Sequence, residues 1–240
     1  MKIPTGIDGL DQMLRGGLIP GRNVLLSGPC GSGKSILAVQ FLYNGIMKHK
    51  EPGLYITLEE TKEKFYQDMG KLGMNLHEAE KGNGFLLIGG PIASLKGYME
   101  KVDASIKNLI EEIKEVVKER KIKRVVIDSI NLLTMLSKNE DERRKALAMV
   151  ANSLSALGCT SLLISETKEG SMDLSRYGIE EFVVDGVIVL YLVRQGSKFA
   201  PGITIRKMRG TNHDKEIRFY KITDKGIEVY PQETLFTNVM

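Results

Sequence analysis

Eight consecutive residues, Gly28-Pro29-Cys30-Gly31-Ser32-Gly33-Lys34-Ser35, constrain this chain more than any other stretch. Their spacing is G-x-x-x-x-G-K-S, a phosphate loop, and it works only where a buried strand enters it and a helix leaves it. Gly28, Gly31 and Gly33 allow backbone turns that residues bearing a Cβ resist, so consecutive N–H groups can converge on phosphate oxygens. Lys34 brings a compact positive charge to the β- and γ-phosphates, and the Ser35 hydroxyl is suited to ligating Mg²⁺. The helix that follows turns its positive dipole end toward the anion. Both flanks meet the demand. Asn23 to Ser27 is a short β-rich run, and Leu37, Phe41 and Ile46 fall near helical spacing between Ser35 and Met47. Gly28 to Ile36, with Pro29, Cys30 and Ser32 among them, is therefore the candidate nucleotide-binding segment.

A chain of 240 residues can form one large α/β domain with a full core. Its net charge of +4 permits a nucleic-acid partner without indicating one, because no basic block dominates. Lys118 to Arg124 holds five basic residues and one acid, a pattern that fits the solvated end of a helix. Cys30 and Cys159 are the only cysteines and form no C-x-x-C, which argues against disulfides and zinc and for a reducing compartment. The segment Met1 to Gly6 lacks the apolar run of a signal peptide. Ala146 to Ser165 carries no charge, yet Asn152, Ser153, Ser155, Gly158, Thr160 and Ser161 interrupt it. It reads as helix, glycine stop and buried strand rather than a membrane span. A cytoplasmic protein with no membrane contact is expected.

Strand and helix patterns alternate as in a parallel sheet covered by helices. Strands are expected at Leu54 to Leu58, Phe85 to Ile88, Arg124 to Asp128 and Thr160 to Ser165. Helices are expected after Thr61, a candidate cap, to about Met69, and from Tyr98 to Arg120. Gly186 to Val193, Ile203 to Met208 and Ile217 to Ile222 lie too close together for crossovers, so this end of the sheet is read as antiparallel.

Asp128 ends an apolar strand, the place where a second acid holds Mg²⁺ in nucleotide triphosphate sites. Glu59 and Glu60 follow the Leu54 to Leu58 strand. They suit either a carboxylate that polarises an attacking water or an acidic helix N-terminus, and the residues alone leave both readings open. Lys207 and Arg209 alternate on a strand, and on that pattern alone face solvent.

The opening Pro4-Thr5-Gly6-Ile7-Asp8-Gly9-Leu10-Asp11, with Gly16-Gly17-Leu18 and Gly21, leads into the phosphate loop in a way that resembles the KaiC branch of the RecA-like ATPases. Lys207-Met208-Arg209-Gly210-Thr211-Asn212-His213 is similar to that family's K-x-R-G-T-x-H signature, and Ile222 to Ile227 fits as well. The resemblance runs from Ile3 to Pro231. It implies a single RecA-like domain over residues 1–240, with a mostly parallel sheet flanked by helices and an antiparallel C-terminal extension. It also implies ATP and Mg²⁺ as ligands and slow ATP hydrolysis. Glu59 and Glu60 take the place of the family's catalytic glutamates, with Lys34 and Arg209 assisting. Ser35 and Asp128 hold the metal. The ATP would lie between subunits of a ring, usually a hexamer, so Lys207, Arg209, Thr211 and His213 would reach a neighbour's nucleotide. Glu166 falls where RecA-like proteins place a polar residue that senses the γ-phosphate.

Departures from the family are also visible. The circadian members carry two such domains, and one fits here. Their autokinase domain has an adjacent Ser-Thr pair where this chain reads Ile179 to Asp185 with no hydroxyl, so no autophosphorylation is expected there. Two alternatives to a ring ATPase remain: a DNA-binding recombination accessory of the archaeal RadA kind, and an ATP-binding regulator with negligible turnover. The RadA reading has only Lys168 and Arg176 as basic residues in the segment Lys168 to Tyr177. GTP use is not expected, since no N-K-x-D element is present.

Overall fold

Apolar runs without a polar alternation become the central strands, because a parallel strand covered on both faces has no polar side to present. The computed structural model describes residues 1–57, 60–89, 102–131, 137, 139–168, 170 and 173–235. In it, β1 (Asn23–Gly28), β2 (Gly53–Thr57) and β4 (Arg124–Asp128) are buried at every residue. β3 (Phe85–Gly89) lies at one edge, and β5 (Thr160–Glu166) is buried up to Ser165. Then come β6 (Gly186–Gln195), β7 (Lys198–Met208), β8 (Arg218–Thr223) and β9 (Gly226–Thr234). The sheet order is β3-β2-β4-β5-β1-β6-β7-β8-β9, parallel from β3 to β6 and antiparallel from β6 to β9. The expected change from parallel to antiparallel therefore falls where the crossover lengths run out.

The helices are α1 (Asp8–Met13), α2 (Lys34–His49), α3 (Lys62–Lys71), α4 (Leu76–Glu80), α5 (Val102–Arg120), α6 (Glu140–Ala156) and the single turn α7 (Glu180–Val183). Leu58 of the expected second strand and residues 98–101 of the expected long helix lie outside the described residues. Thr61 does sit at the N-cap of α3, but its side chain makes no capping bond. Helices α1 and α4 and strand β9 had no clear signature in the sequence.

Each side of the sheet has its own apolar layer. Leu37 and Phe41 of α2, Phe65 and Met69 of α3 and Leu10 of α1 pack on Leu26, Tyr55, Val126 and Leu162. Ile106, Ile110 and Ile113 of α5 and Leu147, Val150 and Leu154 of α6 pack on Leu25, Ile56, Ile127 and Leu163. The alternation along β2 places Tyr55 in the first layer and Leu54 and Ile56 in the second.

Two features hold α2, and so the phosphate loop, in place. Arg124 at the start of β4 is fully buried; its guanidinium donates to Glu51 Oε2 at 2.7 Å and to the Phe41 carbonyl at 2.9 Å. It also lies 4.6 Å from the Phe41 ring centroid. On the other flank, β7 and β8 pair only at Gly202–Phe219 and Ile203–Arg218, and the β8–β9 hairpin packs onto α2. The Gln40 side chain accepts the Ile227 N–H at 2.7 Å, and Tyr220 joins the α2 layer.

Candidate nucleotide-binding site

The phosphate loop leaves β1 and opens α2 as the motif requires. Gly31 and Gly33 have φ of 77° and 82°, the left-handed region that favours glycine. A Cβ at Gly28 would meet the Leu190 carbonyl oxygen at 2.6 Å, so that position is closed by the neighbouring strand as well. Gly33 is the N-cap of α2, no side chain caps the helix there, and its first turn contains no acid. Its leading N–H groups are thus left for an anion, as at phosphate-binding helix N-termini. Ser32 is buried, its hydroxyl donates to the Pro29 carbonyl at 2.7 Å, and the Tyr220 hydroxyl donates to the Ser32 carbonyl at 2.6 Å. Lys34 Nζ donates to the Pro29 carbonyl at 2.8 Å, folding the side chain back over the loop. Cys30 is exposed at its crest, and Ile36 continues the helix, partly buried.

Asp128 ends β4 beside β2, in register with Thr57. Ser35 Oγ donates to Asp128 Oδ2 at 2.6 Å, and the Tyr55 hydroxyl donates to the same oxygen at 2.5 Å. Burial holds the Asp128 carboxyl above the usual carboxylate range, while the Ser35 and Tyr55 hydrogen bonds and the Lys34 charge pull it back toward the ionised form. Ser35, Thr57, Glu60, Phe65, Met69 and Asp128 together line a cavity of about 50 Å³. A hydroxyl and a carboxylate at the head of a phosphate-binding helix are hard oxygen donors of the kind Mg²⁺ selects, so the donor set fits that ion. Glu60 shares the cavity; Glu59 lies outside the described residues. Glu166 ends β5 in register with Gly28, beside the loop, and its charge bears on Asp128.

The basic segment is elsewhere. Met208 pairs with Gly186, which aligns with Val24 at the start of β1. From Val24 to Gly28 is four residues, about 13 Å of strand, so Lys207 and Arg209 lie beside the N-terminal ends of the parallel strands, opposite the C-terminal ends that carry the phosphate loop. Lys207 is not simply solvated, as its alternation suggested. Its Nζ donates to the Glu181 and Val184 carbonyls, each at 2.7 Å, and burial together with the Arg209 charge lowers its pKa. Arg209 is exposed, with one guanidinium nitrogen 3.8 Å from Asp185. The Thr211 hydroxyl accepts from Lys2 Nζ at 2.7 Å, and His213 Nδ1 is 2.9 Å from the Asp214 carbonyl. His213 also lines an open cavity of about 590 Å³ with Arg15, Lys215 and Arg218.

Sequence reasoning missed Tyr55 and Tyr220. Tyr55 is a tyrosine on an otherwise apolar or small buried strand, a signal that its hydroxyl has a partner, whereas Tyr220 sits among charged and exposed neighbours on β8 and gave no such signal; both partners become visible only in three dimensions.

The fold and the loop define a member of the phosphate-loop class with a RecA-like sheet. Residues 3–234 match the family model described as "ATPase: KaiC", and the chain belongs to that family. It is 36% identical to a UPF0273 protein of Thermotoga maritima, over 97% of each chain. It is also 35% identical to the circadian clock oscillator protein KaiC of Synechococcus elongatus, matching over 96% of this chain but 44% of that protein. The chain therefore spans less than half the length of the KaiC relatives it matches. The crystal structure of a KaiC-like protein from Pyrococcus horikoshii superposes with a TM-score of 0.84 at 35% identity, covering 96% of this chain and 99% of that one. Among the described residues no helix is long and apolar enough to cross a membrane.

Proposed function

We propose that the chain is a Mg²⁺-dependent ATPase that works as a head-to-tail ring, with the Lys207–His213 segment of each subunit completing its neighbour's site. The observation that carries this reading is the separation of the two motifs. The C-terminal ends of the parallel strands carry the phosphate loop, Ser35, Asp128 and Glu60; beside their N-terminal ends lie Lys207 and Arg209, with Thr211 and His213 following in sequence. A chain with complementary half-sites at opposite ends of its strands suits a heterologous interface, and such interfaces form closed rings when the rotation closes. Six subunits is the ring size the family resemblance favours.

In this reading the loop N–H groups and the first turn of α2 bind the phosphates, and Lys34 leaves the Pro29 carbonyl to neutralise them. Ser35 and Asp128 would hold the metal, which when bound would offset the negative charge that develops on the phosphates. Glu60, with Glu59 beside it in sequence, orients the attacking water and accepts its proton. Arg209 of the neighbouring subunit grips the γ-phosphate oxygens through paired N–H groups.

The test is ATP turnover per subunit over a wide range of protein concentration. The reading predicts turnover that rises with concentration to a plateau and is abolished by Lys34→Ala. Turnover that persists in Lys34→Ala would place the chemistry at another site.

A further inference from the structure

Tyr55 sits in the middle of β2, fully buried, in a strand whose other residues are apolar or small. Nothing in strand packing asks for a hydroxyl there; Phe would fill the same space. Yet a buried tyrosine hydroxyl without a partner is costly, so its direction is informative. Tyr55 is in register with Val126, two residues before Asp128, and its hydroxyl reaches along β4 to Asp128 Oδ2. The ring is fixed as well, with its centroid 4.8 Å from that of Phe65 at an interplanar angle of 45°. Phe65 lines the same small cavity as Ser35, Glu60 and Asp128. Two hydroxyls, one from the phosphate-loop helix and one from β2, thus converge on one oxygen of a carboxylate that is only 9% exposed.

The two donors differ in what a cation would do to them. Once its oxygen ligates a metal, Ser35 would no longer donate to Asp128 in the same way. Tyr55 is fully buried with its ring packed on Phe65 of α3 and its hydroxyl committed to Asp128, which suits it to hold the carboxylate rather than to ligate the metal.

We propose that Tyr55 is a positioning residue that holds the Asp128 carboxylate in its metal-accepting orientation and thereby sets the divalent-cation affinity of the nucleotide site. This rests on Asp128 being the metal-holding carboxylate. Partners of this kind, one step removed from a metal, change its affinity by roughly ten- to a hundredfold when they are removed.

The experiment uses the full chain with a non-hydrolysable ATP analogue and follows free Mn²⁺ by electron paramagnetic resonance. Tyr55→Phe is expected to weaken Mn²⁺ binding roughly tenfold or more. Its affinity for the analogue in EDTA should match wild type, which also reports that the variant is folded. Wild-type Mn²⁺ affinity in Tyr55→Phe overturns the inference. So does loss of analogue binding in EDTA, because the hydroxyl would then be supporting the fold rather than the metal. Asp128→Asn separates the two levels. If it too binds Mn²⁺ as wild type does, the assignment of Asp128 itself falls; if it binds weakly while Tyr55→Phe is normal, only the role of Tyr55 falls.

Discussion

Ser35 Oγ lies 2.6 Å from Asp128 Oδ2, so residues 93 positions apart meet where the phosphate-loop helix begins and β4 ends. That contact joins the phosphate-loop helix to the strand-end carboxylate of the candidate site, and it depends on α2 and β4 being held in register. Ser35→Ala and Asp128→Asn should each lower turnover and raise the Mg²⁺ concentration needed for half-maximal activity. Lys34→Ala should weaken ATP binding by about 2 kcal/mol, the range for hydrogen bonds to charged groups. Titration with a fluorescent ATP analogue measures the binding loss.

Cys30 is exposed on the loop while Cys159 is fully buried, and burial pushes the Cys159 thiol up to about 11. A maleimide should therefore label Cys30 alone in the folded protein. Mg²⁺-ATP should slow that labelling strongly. Peptide mass spectrometry identifies the site, and unprotected labelling at saturating ATP would place the phosphates away from the loop.

Arg124 is buried against Glu51 and the Phe41 carbonyl. Replacing Glu51 with Gln leaves a guanidinium without its counter-charge, and stability should fall by about 3 kcal/mol. Because Arg124 ties α2 to β4, ATP affinity should fall with it. Urea unfolding with and without nucleotide separates the two effects.

Glu80 gives a pH-dependent effect. Burial acts to raise its pKa, but hydrogen bonds from Lys62 and Tyr66 outweigh this and hold the carboxyl below its ordinary range. A depressed carboxylate binds fewer protons in the folded than in the unfolded state. It therefore stabilises above the ordinary Glu range and loses that contribution as pH falls through the folded value. Glu80→Gln should be slightly less stable than wild type at pH 7, by less than about 1 kcal/mol for so exposed a pair, with the difference closing at an acidic pH below the ordinary Glu range. Thermal melts at the two pH values test the sign.

Ser175 is buried, and its hydroxyl donates to the Glu181 carboxylate. The neighbouring segment Ile179 to Asp185 has no hydroxyl at all. Incubation with ATP should leave Ser175 unphosphorylated; phosphate found there by mass spectrometry would show that this segment opens to the nucleotide.

Much of this was legible in the sequence because the phosphate loop dictates its own surroundings. A strand must precede Gly28 and a helix must follow Gly33, and the apolar run Arg124 to Asp128 then reads as another strand of the same parallel sheet, separated from β1 by β5. The short connections after Gly186, too short for crossovers, announced the antiparallel end. What the sequence hid are contacts across long separations. Tyr55 to Asp128 and Tyr220 to Ser32 are single hydrogen bonds with no periodic signature. The period-two pattern of Lys207 and Arg209 identified a strand face but not the carbonyls of Glu181 and Val184 that Lys207 reaches. Strand β9 was obscured because Pro231 and Gln232 weaken its β character and its partner is only β8.

The central claim is that a site needs the phosphate loop of one chain and the basic segment of another. Mixing Lys34→Ala with Arg209→Ala, each inactive alone, tests it most directly. After dissociation and reassembly at equal amounts, random head-to-tail interfaces should restore about a quarter of wild-type turnover, because one pairing in four joins an intact loop to an intact arginine. A mixture no more active than its parents, in rings shown to have exchanged subunits, would contradict the account.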